Sequence, residues 1–151
     1  YEKDLLEIAG NIYKKLKIPL PSDVVVATEI KPNTETRVCD VRNIHSDEMI
    51  VDFGPKSISL LKQFISSAGT ILWNGPIGVF EIDKFDEGTK QISQAIASSS
   101  AFSIAGGGDT LAAIELYSVS SDITYISTGG GAFLEYIEGK TLPSVQALEK
   151  K

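Results

Sequence analysis

Two short stretches of the sequence share one plan: an apolar run, three glycines, then a segment of helical character. They are Gly106-Gly107-Gly108-Asp109-Thr110 and Thr128-Gly129-Gly130-Gly131. Glycine tolerates positive φ and lets a ligand come close to the backbone. A helix that starts directly after such a turn offers unpaired amides and the positive end of its dipole, a combination that suits an anion. In open parallel sheets, ligands bind beyond the carboxyl ends of the strands, where these turns fall. One such turn is equally well explained by tight packing of a helix on the sheet. Two in one short chain favour phosphate binding. Neither is a P-loop, because no Gly-x-x-x-x-Gly-Lys-Ser/Thr occurs, and neither reads Gly-x-Gly-x-x-Gly, which disfavours a Rossmann dehydrogenase.

Asp109 stands at the start of the helix after the first turn, and two roles are open to it. It can be the N-cap, which aspartate fills well, or an acidic group near bound phosphates, useful mainly when a metal ion lies between them. Asn74-Gly75-Pro76-Ile77-Gly78 follows a strand and reads either as a plain Asn-Gly turn or as a third wall of the site. Glu81, just beyond, is by default a solvated carboxylate and alternatively an acceptor for ribose hydroxyls. The one histidine, His45, lies in a polar loop and reads as surface; Cys39 reads as inert and Trp73 as core. The loops Asn74 to Glu81, Gly106 to Thr110 and Thr128 to Gly131 contain no Lys or Arg. Phosphoryl transfer needs cations around the moving group, so these loops look like half a site.

The elements that must carry the loops follow from periodicity. Leu5, Ile8, Ala9, Ile12 and Leu16 have the spacing of one helical face, with Pro19 and Pro21 as its stop. Val24 to Ala27 reads as a buried strand, and Thr28 to Ser46 as loop with a short strand around Val38. From Met49 the chain alternates. Strands are expected at Met49 to Phe53, Thr70 to Trp73, Phe102 to Ala105 and Thr124 to Ser127. Helices are expected after Gly54-Pro55, around Phe85 to Ile96, from Asp109 to about Tyr117, and after Gly131 to about Glu138. Such alternation with nearly all-apolar strands predicts an α/β fold, a doubly wound and mainly parallel sheet covered on both faces.

Composition sets the outer limits. The chain has 151 residues, 42% hydrophobic and 23% charged, enough for one domain with a real core. Fourteen Lys and Arg against twenty Asp and Glu leave a net charge of −6, the opposite of a nucleic-acid footprint. No run approaches the roughly 20 apolar residues of a membrane span, so neither nucleic acid nor membrane is expected as a partner. One cysteine excludes an intramolecular disulfide and suits a reducing compartment. The sequence opens Tyr-Glu-Lys-Asp with its only methionine at Met49, and reads as a processed protein, a domain or a fragment.

Taken together, Trp73-Asn74-Gly75-Pro76-Ile77-Gly78-Val79-Phe80-Glu81, Gly106-Gly107-Gly108-Asp109-Thr110, Ser127-Thr128-Gly129-Gly130-Gly131-Ala132-Phe133-Leu134-Glu135 and the closing Glu138-Gly139-Lys140-Thr141-Leu142-Pro143 resemble phosphoglycerate kinase of bacterial type. The resemblance covers essentially the whole chain and begins inside the family's C-terminal half. It implies a Rossmann-like three-layer lobe, residues 1–151 being a partial nucleotide-binding lobe without the N-terminal substrate lobe or the start of its own. It implies Mg²⁺ with ADP or ATP as ligands, phosphoglycerate held by the absent lobe, a cytoplasmic setting and a monomeric intact enzyme. By the same resemblance Asn74 approaches the nucleotide phosphates, Pro76 and Val79 line the ribose and adenine, and Glu81 binds ribose hydroxyls. Gly107, Gly108, Asp109 and Thr110 hold the phosphates, with Asp109 facing the metal. Gly130 and Gly131 present a helix N-terminus to the transferring phosphoryl group, and Ser127-Thr128 lies at a hinge. The family's basic residues near the phosphates fall in the missing part, which predicts a chain inactive alone. The rival readings are a non-catalytic nucleotide-binding module and a structural folding unit.

Overall fold

A computed structural model describes residues 2–149. Helix α1 (Leu6–Lys15) leads to β1 (Asp23–Ala27), the centre of an antiparallel sheet with β2 (Arg37–Asp40) on one side and β3 (Met49–Phe53) on the other. Helix α2 (Pro55–Ser67) then carries the chain to a parallel sheet, in the order β4 (Thr70–Trp73), β5 (Phe102–Ala105), β6 (Tyr125–Ile126). Helix α3 (Glu87–Ala97) crosses from β4 to β5, and α4 (Gly108–Leu116) from β5 to β6. Helices α5 (Gly131–Ile137) and α6 (Pro143–Glu149) close the chain. The fold is α/β, as expected.

One pairing departs from the alternation. The strand at Met49–Phe53 does not join the parallel sheet but runs antiparallel to β1. A strand followed by a helix looks the same in sequence whether the helix returns to its own sheet or passes to another. Residues 28–46, expected to be loop with a short strand around Val38, carry that strand as β2, where Val24 pairs with Cys39 and Val25 with Val38. Between β1 and β3 the register slips: Val25 faces Asp52 while Val26 faces Ile50, so Val51 is the extra residue of a bulge. The bulge has a consequence for burial. Val51 and Asp52, neighbours in a strand, are both buried at 1% exposure.

The main core lies on one face of the parallel sheet, where Trp73 and Ala105 meet Ile92 and Ile96 of α3 and Ala113 and Ile114 of α4. A second cluster of Ala27, Val51 and Phe85 sits under the antiparallel sheet. Leu72, Phe102 and Tyr125 lie on the other face of the parallel sheet and are about half exposed, at 48%, 52% and 56%. The apolar stripe of α1 is equally open: Leu5, Ile8, Ile12 and Leu16 are exposed, and no residue of the helix is buried. The helical spacing was legible, yet nothing among the described residues covers it.

Two helices are started by a carboxylate sent from a strand. Asp23 of β1, 5% exposed, accepts the amides of Lys56 and Ser57 (3.1 and 2.8 Å) and the Ser57 hydroxyl (2.7 Å) in the first turn of α2. Burial alone would raise the Asp23 pKa; the bonds from Ser57 and Lys56 outweigh it and hold the carboxyl below its ordinary value. Asp52 of β3 does the same for α3, accepting the Gly88 amide at 2.7 Å. A negative charge at a helix start also suits the dipole.

Candidate functional site

Parallel pairing brings the three glycine-rich loops out of the sheet at one level. Trp73 pairs with Ala105 and Ala105 with Ile126, so the chain leaves β4, β5 and β6 side by side. The level continues past the strands, since the Gly106 amide donates to the Trp73 carbonyl (3.1 Å) and the Ser127 amide to that of Ala105 (2.8 Å). The loops are then locked to one another. The Gly75 amide donates to the Thr110 hydroxyl at 2.7 Å, which ties the Asn74 loop to α4. The Trp73 indole N–H donates to the Gly75 carbonyl at 3.1 Å. Phe133 of α5 packs its ring where a side chain on Gly106 would stand, tying the third loop to the second.

Glycine is required at Gly107 on two counts. Its φ is +97°, and a Cβ there would lie 2.8 Å from Asn74 Oδ1. This residue caps α4, so the helix begins at Gly108. Asp109 is therefore the second helical residue and not the N-cap, which settles the cap alternative against it. Its carboxylate is exposed and, among the described residues, neither accepts a hydrogen bond nor forms an ion pair. The amides of Gly108, Asp109 and Thr110 have no acceptor within the helix, as first-turn amides do not. Thr110 itself is fully buried, its hydroxyl spent on Gly75. Only its backbone is left to face a ligand.

At the third loop, Gly130 (φ +54°) precedes the seven-residue α5. The Ala132 and Phe133 amides are taken by tight turn bonds to Gly129 and Gly130 (both 3.2 Å). The Ser127 side chain accepts the Gly129 amide at 3.3 Å. Gly130 and Gly131 remain exposed.

The segment from Pro76 to Glu81 forms the flank of this shelf. Pro76 and Val79 are half-buried and Glu81 is exposed, its carboxylate without a hydrogen-bond or ion-pair partner among the described residues. Val79 packs on the Ala27–Val51–Phe85 cluster. Thr89 of α3, 1% exposed, clasps Ile77 through both its amide and its carbonyl. Neither Thr89 nor Asp52 was singled out from sequence, although Asp52 carried a signal: a carboxylate inside the apolar run Met-Ile-Val-Asp-Phe demands partners.

The described residues contain no group of three or more His, Cys, Asp or Glu that could enclose a metal. Mg²⁺ does not need such a cage, because it is ordinarily held by one or two carboxylates plus substrate phosphates. The free Asp109 carboxylate beside free helix-start amides fits that mode. A cavity of about 710 Å³ lies elsewhere, between the antiparallel sheet and helices α2 and α3, and no glycine-loop residue lines it. The one cation on its wall, Lys62, bonds to Gln91 at 2.9 Å. The glycine shelf is the better candidate for phosphate, since an open surface of amides needs no enclosed volume.

Comparison with known proteins agrees with the motifs. The family model described as phosphoglycerate kinase matches residues 1–140. The solved structure of phosphoglycerate kinase from Coxiella burnetii superposes with a TM-score of 0.92 at 43% identity, covering 96% of this chain and 39% of that one. Phosphoglycerate kinase from Pyrococcus horikoshii OT3 superposes with a TM-score of 0.83 at 34% identity, covering 97% of this chain and 36% of that one. The chain thus spans less than two-fifths of the length of these solved relatives. No helix among the described residues is long and apolar enough to cross a membrane.

Proposed function

The chain belongs to the phosphoglycerate kinase family, and we propose that it is the partial C-terminal lobe that binds Mg-ADP and Mg-ATP in the cytoplasm. The intact, monomeric enzyme would pass a phosphoryl group reversibly between 1,3-bisphosphoglycerate and ADP, giving 3-phosphoglycerate and ATP. The observation that carries this reading is the interlocked shelf: three glycine-rich loops at one level of a parallel sheet, with a free carboxylate beside free amides.

In this reading the first-turn amides of α4, from Gly108 to Thr110, receive the nucleotide phosphates, and Asn74 stands beside them against Gly107. Asp109 would hold Mg²⁺, which would supply positive charge to neutralise the phosphates. Glu81 accepts from the ribose hydroxyls, and Pro76 and Val79 supply the apolar wall for ribose and base. Gly130 and Gly131 offer backbone amides toward the transferring group, stabilising charge by position and not by covalent chemistry.

The loops hold no cation, which favours a second reading of this chain taken alone: a nucleotide-binding module that does not turn over. Calorimetric titration with Mg-ADP tests the binding. Binding is expected for the native chain and at least about tenfold weaker binding for Asp109→Asn, as loss of a charged ligand implies. Because Asp109 is not the cap, unfolding of the two should differ little. Equal affinity would remove the metal-holding role, and no binding by either would leave only a structural unit. A coupled assay on the chain alone is expected to show no turnover above buffer.

A further inference from the structure

Three consecutive residues of the nucleotide-flanking segment are fixed from one place, the junction of the β3 bulge with the start of α3. Ile77 is held at both backbone groups by the Thr89 hydroxyl, with its amide donating at 3.0 Å. Gly78, at φ +69°, turns its inner side onto the junction: a Cβ there would lie 2.6 Å from the Val51 carbonyl oxygen and 2.7 Å from Asp52 Oδ1 and from the Phe85 carbonyl oxygen. The Val79 amide donates to the Val51 carbonyl at 2.9 Å. Asp52 is the group common to the parts of this junction. Its Oδ1 accepts its neighbour Phe53's amide at 2.8 Å, its Oδ2 accepts Gly88 at 2.7 Å, and its carboxylate fills the space that a side chain on Gly88 would need. It therefore binds α3, whose next residue is Thr89, to the strand whose carbonyl holds Val79.

A carboxylate buried to 1% exposure is an expensive way to start a helix. Asp86, already at the N-cap position of α3, makes no side-chain cap of its own. The short apolar alternative at position 52 would leave Gly88 unpaired and the floor beneath Gly78 empty. Resting on the nucleotide-binding reading above, we infer that Asp52 is a positioning residue for the ribose and base of the bound nucleotide, setting where Val79 and Glu81 stand without touching the ligand.

The phosphate end of the shelf hangs on a different set of contacts, Gly75 to Thr110 and Gly107 to Asn74. This separation gives the test its resolution. Mg-ADP and Mg-pyrophosphate are titrated against the full chain, the second being a ligand with phosphates but neither ribose nor base. Asp52→Asn keeps the shape and loses the charged acceptor; Thr89→Val keeps the volume and releases Ile77. Each is expected to weaken Mg-ADP by about three- to tenfold, the scale of one misplaced or lost hydrogen bond, and to leave Mg-pyrophosphate unchanged. Should Asp52→Asn fail to fold, Thr89→Val reads the same linkage from the other end. Unchanged Mg-ADP affinity in the folded variants, or equal weakening of both ligands, overturns the positioning role while the nucleotide-binding reading stands. If the native chain binds neither ligand, both fall.

Discussion

Asp52 should make this protein less stable as the pH rises from 5 to 7, and Asp52→Asn should abolish that slope. An ordinary aspartate titrates near 3.9. In the fold, burial pushes the Asp52 carboxyl up to about 6, against the opposing amides of Gly88 and Phe53 and with the help of the Asp86 and Glu87 charges. For an acid raised in this way the native state binds more protons than the unfolded one between about 4 and 6. The stabilising effect of that proton is therefore full below the unfolded value and is lost as the pH rises through the folded value. At pH 5 roughly nine native molecules in ten hold it, against fewer than one unfolded molecule in ten. The difference in unfolding free energy between pH 5 and pH 7 from this group is on the order of 1 kcal/mol, or roughly 2–4 °C in Tm for a domain of this size. Asp23 titrates outside the window, since its carboxyl is held low. His45 is the sole histidine, and a His45→Gln background removes it from the comparison. Urea unfolding at pH 5, 6 and 7 is the assay, read as variant minus parent. Parallel profiles for the two would refute the linkage.

Thr110→Val keeps the buried volume but leaves the Gly75 amide unpaired. It should cost about 1–3 kcal/mol in urea unfolding, and stability equal to the parent would show that the bond contributes nothing. Asp23→Ala strips the first turn of α2 of its acceptor and should cost about 1–2 kcal/mol at pH 7. Because the Asp23 carboxyl is depressed, its contribution is present above about pH 4 and lost as the pH falls further, so the variant's deficit should shrink in acid; a deficit independent of pH would rule that out. Glu81→Ala should weaken Mg-ADP by about 1–3 kcal/mol and barely touch a 2′,3′-dideoxy analogue, whereas equal losses for both would sink the ribose role.

The parts of the site that were legible in the sequence are those where residue type alone restricts the backbone. Gly107 had to be glycine, and its φ of +97° against Asn74 shows why. Helices α1 to α5 and most strands followed from apolar spacing and turn residues, whereas α6 (Pro143–Glu149) was not expected. What stayed hidden was anything decided by a residue far along the chain. Thr110 stands in a glycine-rich loop and looks ligand-facing, yet its hydroxyl turns inward because Gly75, 35 residues earlier, brings an amide to it. Asp109 looks like a cap until Gly107 takes that position. The antiparallel placement of Met49–Phe53 rests on its pairing with β1, 22 to 29 residues earlier, where Ala27 faces Met49 and Val24 faces Phe53. Asp52 was visible as a charge in an apolar strand, but its partner Gly88 lies 36 residues on.

On the proposed function, the charge balance of the shelf predicts that this chain binds nucleotide without transferring a phosphoryl group. A helix N-terminus contributes about half a positive charge, and the α4 start, with whatever Gly130 and Gly131 add, leaves at most about one unit against a nucleotide that carries several negative ones. Asp109 and Glu81 add two carboxylates to these loops, and the whole chain carries −6. In the proposed reading, backbone amides seat phosphates under those conditions with a cation between them and Asp109. Transfer asks for more, because charge spreads over the migrating phosphoryl oxygens and a single well-placed arginine can change the rate by about a thousandfold or more. None of Asn74 to Glu81, Gly106 to Thr110 or Thr128 to Gly131 supplies such a side chain. Rotating the loops cannot supply one either, since Thr110 and Phe133 lock them to one another. In the proposed reading the positive charge that transfer needs would come from another surface, over the open side of the shelf, and would meet the nucleotide at the exposed Gly130 and Gly131.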